Sequence, residues 1–249
     1  MSLRRIRRAV TLVFELFLCM VRFWLLRLGG PITSERRARW GQQTARRLLA
    51  SLNIKCEIEG DPPTSGLVVC NHLSYLDVPI LAAAMPCFFV AKIEIGGWPF
   101  FGRAARACGT IFVDRSSMAS AKSVAEQMTD RLKLPIPIPV LLFPEGTSTD
   151  GSEVIRFHSR LIDPATSLGV PITTACVRYV IEDGTAEREL CWHGDETFVN
   201  HLWKVLGVGG FSAELRFGEP RVYSDRRNAA DETRAEIAAM REESALVLQ

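Results

Sequence analysis

The sequence predicts an α/β fold: a single domain with a central mixed β-sheet flanked by helices, preceded by an N-terminal helical hairpin. From Cys56 onward, short apolar runs alternate with segments of helical periodicity, as strands and helices do in an α/β domain. Several of the runs are continuously apolar, which is typical of strands buried on both faces. With 249 residues, the chain has room for one such domain and an appendage.

The apolar runs and the helical periodicity define the individual elements. We expect strands at 66–70, 88–92, 110–113, 139–143, 172–180 and 213–217. We expect helices at 78–84, 116–132 and 225–248. Polar or charged residues follow several of these strands, and loops at strand ends are where α/β domains usually place their functional groups.

The appendage is predicted to comprise residues 1–53, and the main domain residues 54–249. The first fifty residues contain eleven Arg, no Lys and two acids, so they carry +9 although the whole chain carries only +2. Such an asymmetry predicts an anionic partner, either a membrane or a nucleic acid. No helix-turn-helix, zinc finger or aromatic stacking motif accompanies the arginines. We therefore expect an anionic membrane surface as the partner, and no nucleic acid.

The first predicted helix covers 9–28, about the length that spans a bilayer, but it contains three charged residues: Glu15, Arg22 and Arg27. Charge near the bilayer centre is costly, so we expect an interfacial helix with its aromatic residues in the acyl layer. A spanning helix and a buried helix remain the alternatives. A second, basic amphipathic helix is predicted from Ser34 to about Leu52, and its apolar stripe could also pack on the main domain.

The strand predicted at 66–70 is followed by Asn71, His72 and, five residues after the histidine, Asp77. These residue types can take part in catalysis. A histidine at such a turn can present one ring nitrogen to a substrate while the other donates to the carboxylate. This arrangement suits a general base that removes a proton from an alcohol. An H-x4-D pattern also arises by chance, so a structural role is the alternative interpretation of this motif alone.

Two further strand ends carry polar residues. Glu145, Gly146 and Thr147 follow one strand in a loop with many backbone N–H groups, which could hold a polar substrate or form a plain turn. Arg115 follows another strand and is suited to bidentate phosphate binding, although the adjacent Asp114 could be its surface partner.

Other kinds of site find little support. The four His are dispersed without ligand spacing, so no metal is expected. The seven Cys are an odd number without paired spacing, which favours a reducing, cytoplasmic setting. A serine hydrolase would need a G-x-S-x-G elbow, and the sequence has none. A membrane-binding module that has lost its chemistry is the non-enzymatic alternative.

Four ordered blocks resemble the glycerolipid acyltransferases, the lysophosphatidic acid acyltransferase family. The blocks are His72-x4-Asp77, Gly109-x-x-Phe112-x-x-Arg115, Phe143-Pro144-Glu145-Gly146-Thr147 and Val170-Pro171-Ile172. Lys92-x-Glu94 and Trp98-Pro99-Phe100-Phe101-Gly102 match the family's usual connection between the first two blocks. The resemblance covers about residues 55–220. Four blocks in order are far more specific than any one of them.

The resemblance implies direct transfer of a fatty acyl group from a thioester to the free hydroxyl of a lysolipid. It assigns catalysis to His72, oriented by Asp77, and assigns substrate binding to Arg115, Glu145, Gly146, Thr147, Asn71 and Lys92. It implies no cofactor, with acyl-CoA or acyl carrier protein as co-substrate. The enzyme is expected at the membrane, on its cytoplasmic face. The expected acceptor is 1-acyl-glycerol-3-phosphate, giving phosphatidic acid.

One departure from the family pattern concerns the acceptor. Many relatives that acylate lysophosphatidic acid carry an Arg directly after the Glu-Gly-Thr block, whereas Ser148 stands here, with Asp150 nearby. A less anionic acceptor, such as lyso-ornithine lipid, is therefore the alternative. The later Arg156, His158 and Arg160 could replace the missing charge.

Overall fold

The structure, a computed structural model, describes residues 3–114, 118–181 and 184–246. Within this part, the helices are α1 (Leu3–Leu28), α2 (Ser34–Ser51), α3 (Asp77–Ala84), α4 (Phe101–Cys108), α5 (Met118–Leu132), α6 (Asp163–Leu168), α7 (Phe198–Val205) and α8 (Arg226–Leu246). The strands are β1 (Ile54–Glu59), β2 (Leu67–Cys70), β3 (Phe88–Lys92), β4 (Ile111–Val113), β5 (Val140–Leu142), β6 (Ile172–Val180) and β7 (Phe211–Phe217). Short 3-10 helices lie at Ile93–Gly97, Ser159–Leu161 and Glu187–Leu190.

The seven strands form one mixed sheet in the order β1-β7-β6-β2-β5-β3-β4. β6, β2, β5, β3 and β4 run parallel, whereas β7 is antiparallel to β6 and parallel to β1. The predicted α/β class and mixed sheet are confirmed. Because the five parallel strands point the same way, the loops that follow β2, β3, β4 and β5 meet at one edge of the sheet.

Both faces of the sheet are covered by helices, which explains why its central strands are continuously apolar. Along β2, Val68 and Cys70 face one core, which also contains side chains of α1, α2, α3 and α7. Leu67 and Val69 face a second core, shared with α5, α6 and α8. The domain is therefore a three-layer α/β/α sandwich.

Helix α1 packs on α2 and reaches the main core through Leu12. Arg8, which is buried, donates to the carbonyls of Leu52 at 2.9 Å and Gly209 at 2.7 Å, and also to that of Val208. These contacts tie the start of α1 to the end of α2 and to the loop before β7. The predicted boundary between 53 and 54 therefore separates segments that share one hydrophobic core.

The outer face of α1 is apolar and exposed, and includes Val10, Val13, Phe14, Phe17, Trp24 and Leu25. Two of the three charges that interrupt the apolar segment pair with each other, Glu15 with Arg22 at 3.5 Å, while Arg27 is exposed near the end of the helix. Arg8, just before the segment, points inward. Among the described helices, α1 is the one long and apolar enough to cross a membrane, and its most apolar stretch is only 11% buried. A buried helix was therefore the wrong alternative, and the exposed face indicates attachment to a membrane.

Several elements were not predicted. β1 is an edge strand that pairs only with β7 and is exposed along most of its length, so it lacks the apolar run of a buried strand. Helices α4, α6 and α7 have eight residues or fewer, too few for a clear periodicity. Residues 116–117 and 247–248, which belong to two predicted helices, lie outside the described residues.

Candidate active site

His72 and Asp77 come together where β2 ends and α3 begins. The chain leaves β2 at Cys70, turns through a short loop and enters α3 at Asp77. This turn brings His72 Nδ1 to 2.7 Å from Asp77 Oδ2. With its hydrogen on Nδ1, the imidazole keeps a free lone pair on Nε2, the atom that a general base uses.

The carboxylate of Asp77 is fully buried and accepts hydrogen bonds on both of its oxygens. Oδ2 also accepts from the backbone amides of Leu73 at 2.8 Å and Ser74 at 3.0 Å, and Oδ1 accepts from the hydroxyl of Tyr179. Burial, and then the charge of Asp77, raise the pKa of Tyr179 well above its ordinary value, so the phenol keeps the proton that it donates. The loop thus holds a buried anion against one edge of the imidazole.

The ring of His72 lies against the ring of Phe143, with 4.1 Å between centroids and 19° between planes. Phe143 follows β5, and Phe89 of β3 stacks behind it at 6.5 Å. The side chain of His72 is 20% exposed, and it lines the main cavity of the domain. The imidazole is therefore fixed by Asp77 and Phe143 while one edge faces the cavity.

Asn71 lies behind the histidine and is buried. Its amide donates to the carbonyl of Val177 at 3.0 Å and accepts from the Val177 amide at 2.8 Å. These two bonds continue the pairing of β2 with β6 past the end of the strand. Asn71 therefore fixes the backbone that precedes His72 rather than facing the cavity.

Glu145 is also buried and does not line the cavity. Its Oε1 accepts from the His72 amide at 2.8 Å, and its Oε2 accepts from the Ile155 amide at 3.4 Å. Burial raises the pKa of Glu145 to about 7, and the two backbone hydrogen bonds oppose that rise. The carboxyl group therefore connects the backbone of His72 to the loop after β5. The resemblance had instead assigned Glu145 to substrate binding.

The rest of the loop after β5 forms part of the cavity wall. Gly146, at φ 77°, allows the sharp turn that a side chain would disfavour, and both Gly146 and Thr147 line the cavity. The amide of Thr149 donates to the His72 carbonyl at 2.9 Å. The hydroxyl of Ser148 donates to the carbonyl of Trp192. The loop is thus fastened both to the turn that carries His72 and to the segment that contains Trp192.

The main cavity has a volume of about 1070 Å³. One part is apolar and lies between the N-terminal helices and the sheet, with Leu12, Leu16, Leu48, Leu49, Leu202 and Phe211 among its lining residues. Trp98 and Phe101 also line it and pack on Phe198, at 4.5 and 5.4 Å between centroids. A cavity of this size and character accommodates hydrocarbon chains.

The same cavity contains charged side chains near the carboxyl ends of the strands. Lys92, Arg156 and Arg160 line it, and none of the three makes a hydrogen bond or ion pair through its side chain with another described residue. Glu94 and Asp114 line it as well, so charges of both signs face the cavity. Arg115, the predicted phosphate-binding residue, lies outside the described residues.

Known proteins share both the sequence pattern and the fold of this chain. Residues 53–178, about half of the chain, match the model of the Acyltransferase family. The lyso-ornithine lipid O-acyltransferase of Rhodobacter capsulatus is 36% identical over 202 residues, which cover 79% of this chain and 72% of the relative. The chain belongs to the acyltransferase family. The resemblance to the glycerolipid acyltransferases is confirmed, and the protein is an acyltransferase that requires an acyl donor and an acceptor.

Other relatives of this acyltransferase carry two different names. The lyso-ornithine lipid O-acyltransferase of Pseudomonas aeruginosa is 30% identical over 195 residues, 78% of this chain and 74% of the relative. The 1-acyl-sn-glycerol-3-phosphate acyltransferase of Neisseria meningitidis is 27% identical over 210 residues, 80% and 81%. The crystal structure of the lysophosphatidic acid acyltransferase of Thermotoga maritima superposes with a TM-score of 0.70, covers 98% of each chain and has 19% identity, which shows a shared fold.

Sequence reasoning missed Tyr179, which touches the carboxylate of Asp77 although 102 positions separate the two residues. The one signal available was a tyrosine near the end of a predicted strand that otherwise consists, apart from Arg178, of small or β-branched residues. A partner so distant in the chain becomes visible only when β6 is placed beside β2.

Proposed function

We propose that this acyltransferase uses His72 as the general base that acylates the free hydroxyl of a lysolipid. Nε2 of His72 accepts the hydroxyl proton while the oxygen attacks the thioester carbonyl. Asp77 stabilises the imidazolium that forms. When the carbon–sulfur bond breaks, the imidazolium returns the proton to the departing thiolate, so neither an acyl-enzyme nor a cofactor is needed.

The observation that carries this proposal is the position of His72, bound to Asp77, in the wall of one cavity that has an apolar part and a charged part. The apolar part suits acyl chains, and the charged part suits a headgroup, which leaves the hydroxyl between them near Nε2. Asn71 and Glu145 serve in this proposal as positioning residues, because their polar atoms bind backbone groups. Lys92, Gly146, Thr147 and Arg115 are proposed to bind substrate.

Lyso-ornithine lipid is the acceptor that we favour. Its ornithine headgroup carries one carboxylate and one ammonium, so a cavity lined by charges of both signs is complementary to it. Ser148 supports this choice because it supplies a hydroxyl, bound to the Trp192 carbonyl, where many lysophosphatidic acid acyltransferases carry a cation. The relatives from Rhodobacter capsulatus and Pseudomonas aeruginosa named above are also lyso-ornithine lipid acyltransferases.

1-Acyl-glycerol-3-phosphate is the second candidate, and a specific observation favours it. Arg156 and Arg160 line the cavity without a partner among the described residues, and guanidinium groups suit a phosphate. The donor would be acyl-CoA or acyl carrier protein. The enzyme would act at an anionic membrane surface on the cytoplasmic side, because its substrates reside in the bilayer and α1 exposes an apolar face.

The decisive experiment measures acyl transfer from labelled acyl-CoA and acyl carrier protein to both lysolipids, in vesicles, by the wild type and His72→Ala. We expect product with the wild type, at a higher kcat/KM for lyso-ornithine lipid, and loss of product with a folded His72→Ala. A preference for 1-acyl-glycerol-3-phosphate would transfer the assignment to the second candidate. Full activity of His72→Ala would exclude the proposed mechanism.

A further inference from the structure

A second pocket, of about 600 Å³, lies where the end of α1, the turn before α2 and helix α4 meet. Four arginines line it: Arg27, Arg37, Arg103 and Arg106. Among the described residues, no aspartate or glutamate lines this pocket. We call it the arginine pocket. Four guanidinium groups around one space repel each other unless an anion lies between them.

Two of the arginines are held in place by uncharged groups. Arg37 donates to the carbonyl of Ala107 at 3.1 Å, at the end of α4. Arg106 donates to the carbonyl of Gly96, and its guanidinium lies 5.5 Å from the ring centroid of Phe112. These contacts fix the positions of the two side chains without neutralising their charge.

The turn that forms one wall of the pocket is also held in place. Arg36 donates to the carbonyls of Pro31 at 2.8 Å and Leu26 at 3.1 Å, and so joins the end of α1 to the turn. Arg36 itself does not line the pocket. The wall is therefore organised before any ligand arrives, which lowers the entropic cost of binding.

Arg27 and Arg103 have no hydrogen bond or ion pair with any other described residue through their side chains, and both are exposed. The acids on α1 and α2 are engaged elsewhere. Glu15 pairs with Arg22 at 3.5 Å, and Glu35 pairs with Arg39 at 2.8 Å. The positive charge of the arginine pocket thus has no carboxylate partner in the described part of the chain.

Exposed apolar side chains are sequence neighbours of residues that line the arginine pocket. Trp24, Leu25 and Leu28 flank Arg27 on α1, and Phe100 precedes α4, which carries Arg103. These four side chains are between 51% and 65% exposed. A soluble anion would gain nothing from them, whereas the acyl chains of a lipid would cover them.

We propose that the arginine pocket binds the phosphate headgroup of an anionic membrane phospholipid, whose acyl chains lie against the exposed apolar residues of α1 and against Phe100. This site is separate from the active site, because α4 lies between them. Ala104 and Cys108 of α4 line the active-site cavity, whereas Arg103 and Arg106 line the arginine pocket. The inference goes beyond the proposed function and does not depend on which lysolipid is acylated.

The test compares the full-length wild type with the double variant Arg27→Gln/Arg103→Gln. The matched control is Arg7→Gln/Arg47→Gln, which removes two exposed arginines from α1 and α2 outside the arginine pocket. Binding to phosphatidylcholine vesicles with and without phosphatidylglycerol is measured by co-sedimentation. Phosphatidylglycerol retained by each protein in detergent is counted by native mass spectrometry.

We expect the wild type and the control to retain one phosphatidylglycerol molecule and the arginine-pocket variant to retain none. The ratio of the affinity for vesicles with phosphatidylglycerol to the affinity for vesicles without it should fall about tenfold more in that variant than in the control. Equal losses in the two double variants would show diffuse attraction and overturn the proposal. Coenzyme A is the other phosphate source: if Arg27→Gln/Arg103→Gln abolished coenzyme A binding but left lipid retention unchanged, the pocket would serve the donor and the lipid assignment would be wrong.

Discussion

The hydroxyl of Tyr179 donates a hydrogen bond to Oδ1 of Asp77, the carboxylate oxygen that does not contact His72. Tyr179 lies in β6 and Asp77 opens α3, so the bond connects the sheet to the turn that carries His72. With both oxygens of Asp77 bound, the carboxylate has one orientation, and this fixes the imidazole that it contacts.

The variant Tyr179→Phe should therefore lower kcat about tenfold and change KM little, since a hydrogen bond to a charged group contributes about 1.5–3 kcal/mol. Steady-state kinetics with a saturating thioester would measure both constants. Tyr223→Phe is the control, because Tyr223 packs in the opposite core. A fall in thermal stability with an unchanged kcat would show that Tyr179 only supports the fold.

Glu145→Gln tests the raised pKa of Glu145. In the folded protein this pKa is about 7 instead of 4.5, so the folded state binds the carboxyl proton more tightly than the unfolded state does. The stability that this proton contributes is complete at low pH and is lost as the pH rises through 7. Between about pH 4.5 and 7.5, the wild type should lose about 3 kcal/mol of unfolding free energy relative to Glu145→Gln. Denaturant titrations across this range would measure the difference, and parallel pH profiles of the two proteins would contradict the prediction.

Asn71→Leu should destabilise the fold by about 2 kcal/mol, because it leaves the buried amide of Val177 without an acceptor. The Val177 carbonyl keeps a donor in Arg241, at 2.9 Å, so the loss should come mainly from one group. Thermal unfolding provides the measurement. The exposed Asn200→Leu serves as the control, and equal effects of the two substitutions would refute this account.

Gly102→Ala should shift α4 and lower activity. A Cβ at Gly102 would lie 2.3 Å from the carbonyl oxygen of Gly96, and backbone cannot yield cheaply. We expect a cost of about 2 kcal/mol in stability, together with a weaker preference among acyl chain lengths, since α4 lines the cavity. Gly97→Ala is the matched control, because nothing lies within 4 Å of its added Cβ. Product analysis with thioesters of different chain length would compare the two variants.

Ser148→Arg examines the headgroup specificity. The new guanidinium would stand at the cavity wall where many lysophosphatidic acid acyltransferases carry one. We expect the ratio of kcat/KM for 1-acyl-glycerol-3-phosphate to that for lyso-ornithine lipid to rise about tenfold. Ser148→Ala, which removes the hydroxyl and adds no charge, is the control. A ratio equal in both variants would show that this position does not select the acceptor.

Much of the fold could be predicted because its central strands are buried on both faces. The predicted ranges of β3 and β6 coincide with the observed strands, since continuous apolar runs define them. β1 was missed because an edge strand needs no such run. The His72–Asp77 contact was also predictable, since both residues belong to one turn.

The inward orientation of Asn71 and Glu145 was not predictable from the sequence. A polar residue beside a catalytic histidine fits a substrate contact and a backbone contact equally well until the neighbouring strands are placed. Tyr179 and the Trp192 carbonyl reach the site from distant parts of the chain. Such contacts depend on the strand order, which local patterns do not specify.

Helices α1 and α2 supply side chains to the wall of the active-site cavity, including Leu12, Leu16, Leu48 and Leu49. A truncated chain beginning at Ile54 would therefore not be a soluble version of the enzyme. It would open the apolar part of the main cavity to water and expose the part of the sheet that these helices cover. The segment that holds the protein at the bilayer and the segment that shields the reacting lipid are the same piece of polypeptide, so attachment and catalysis cannot be separated by cutting the chain.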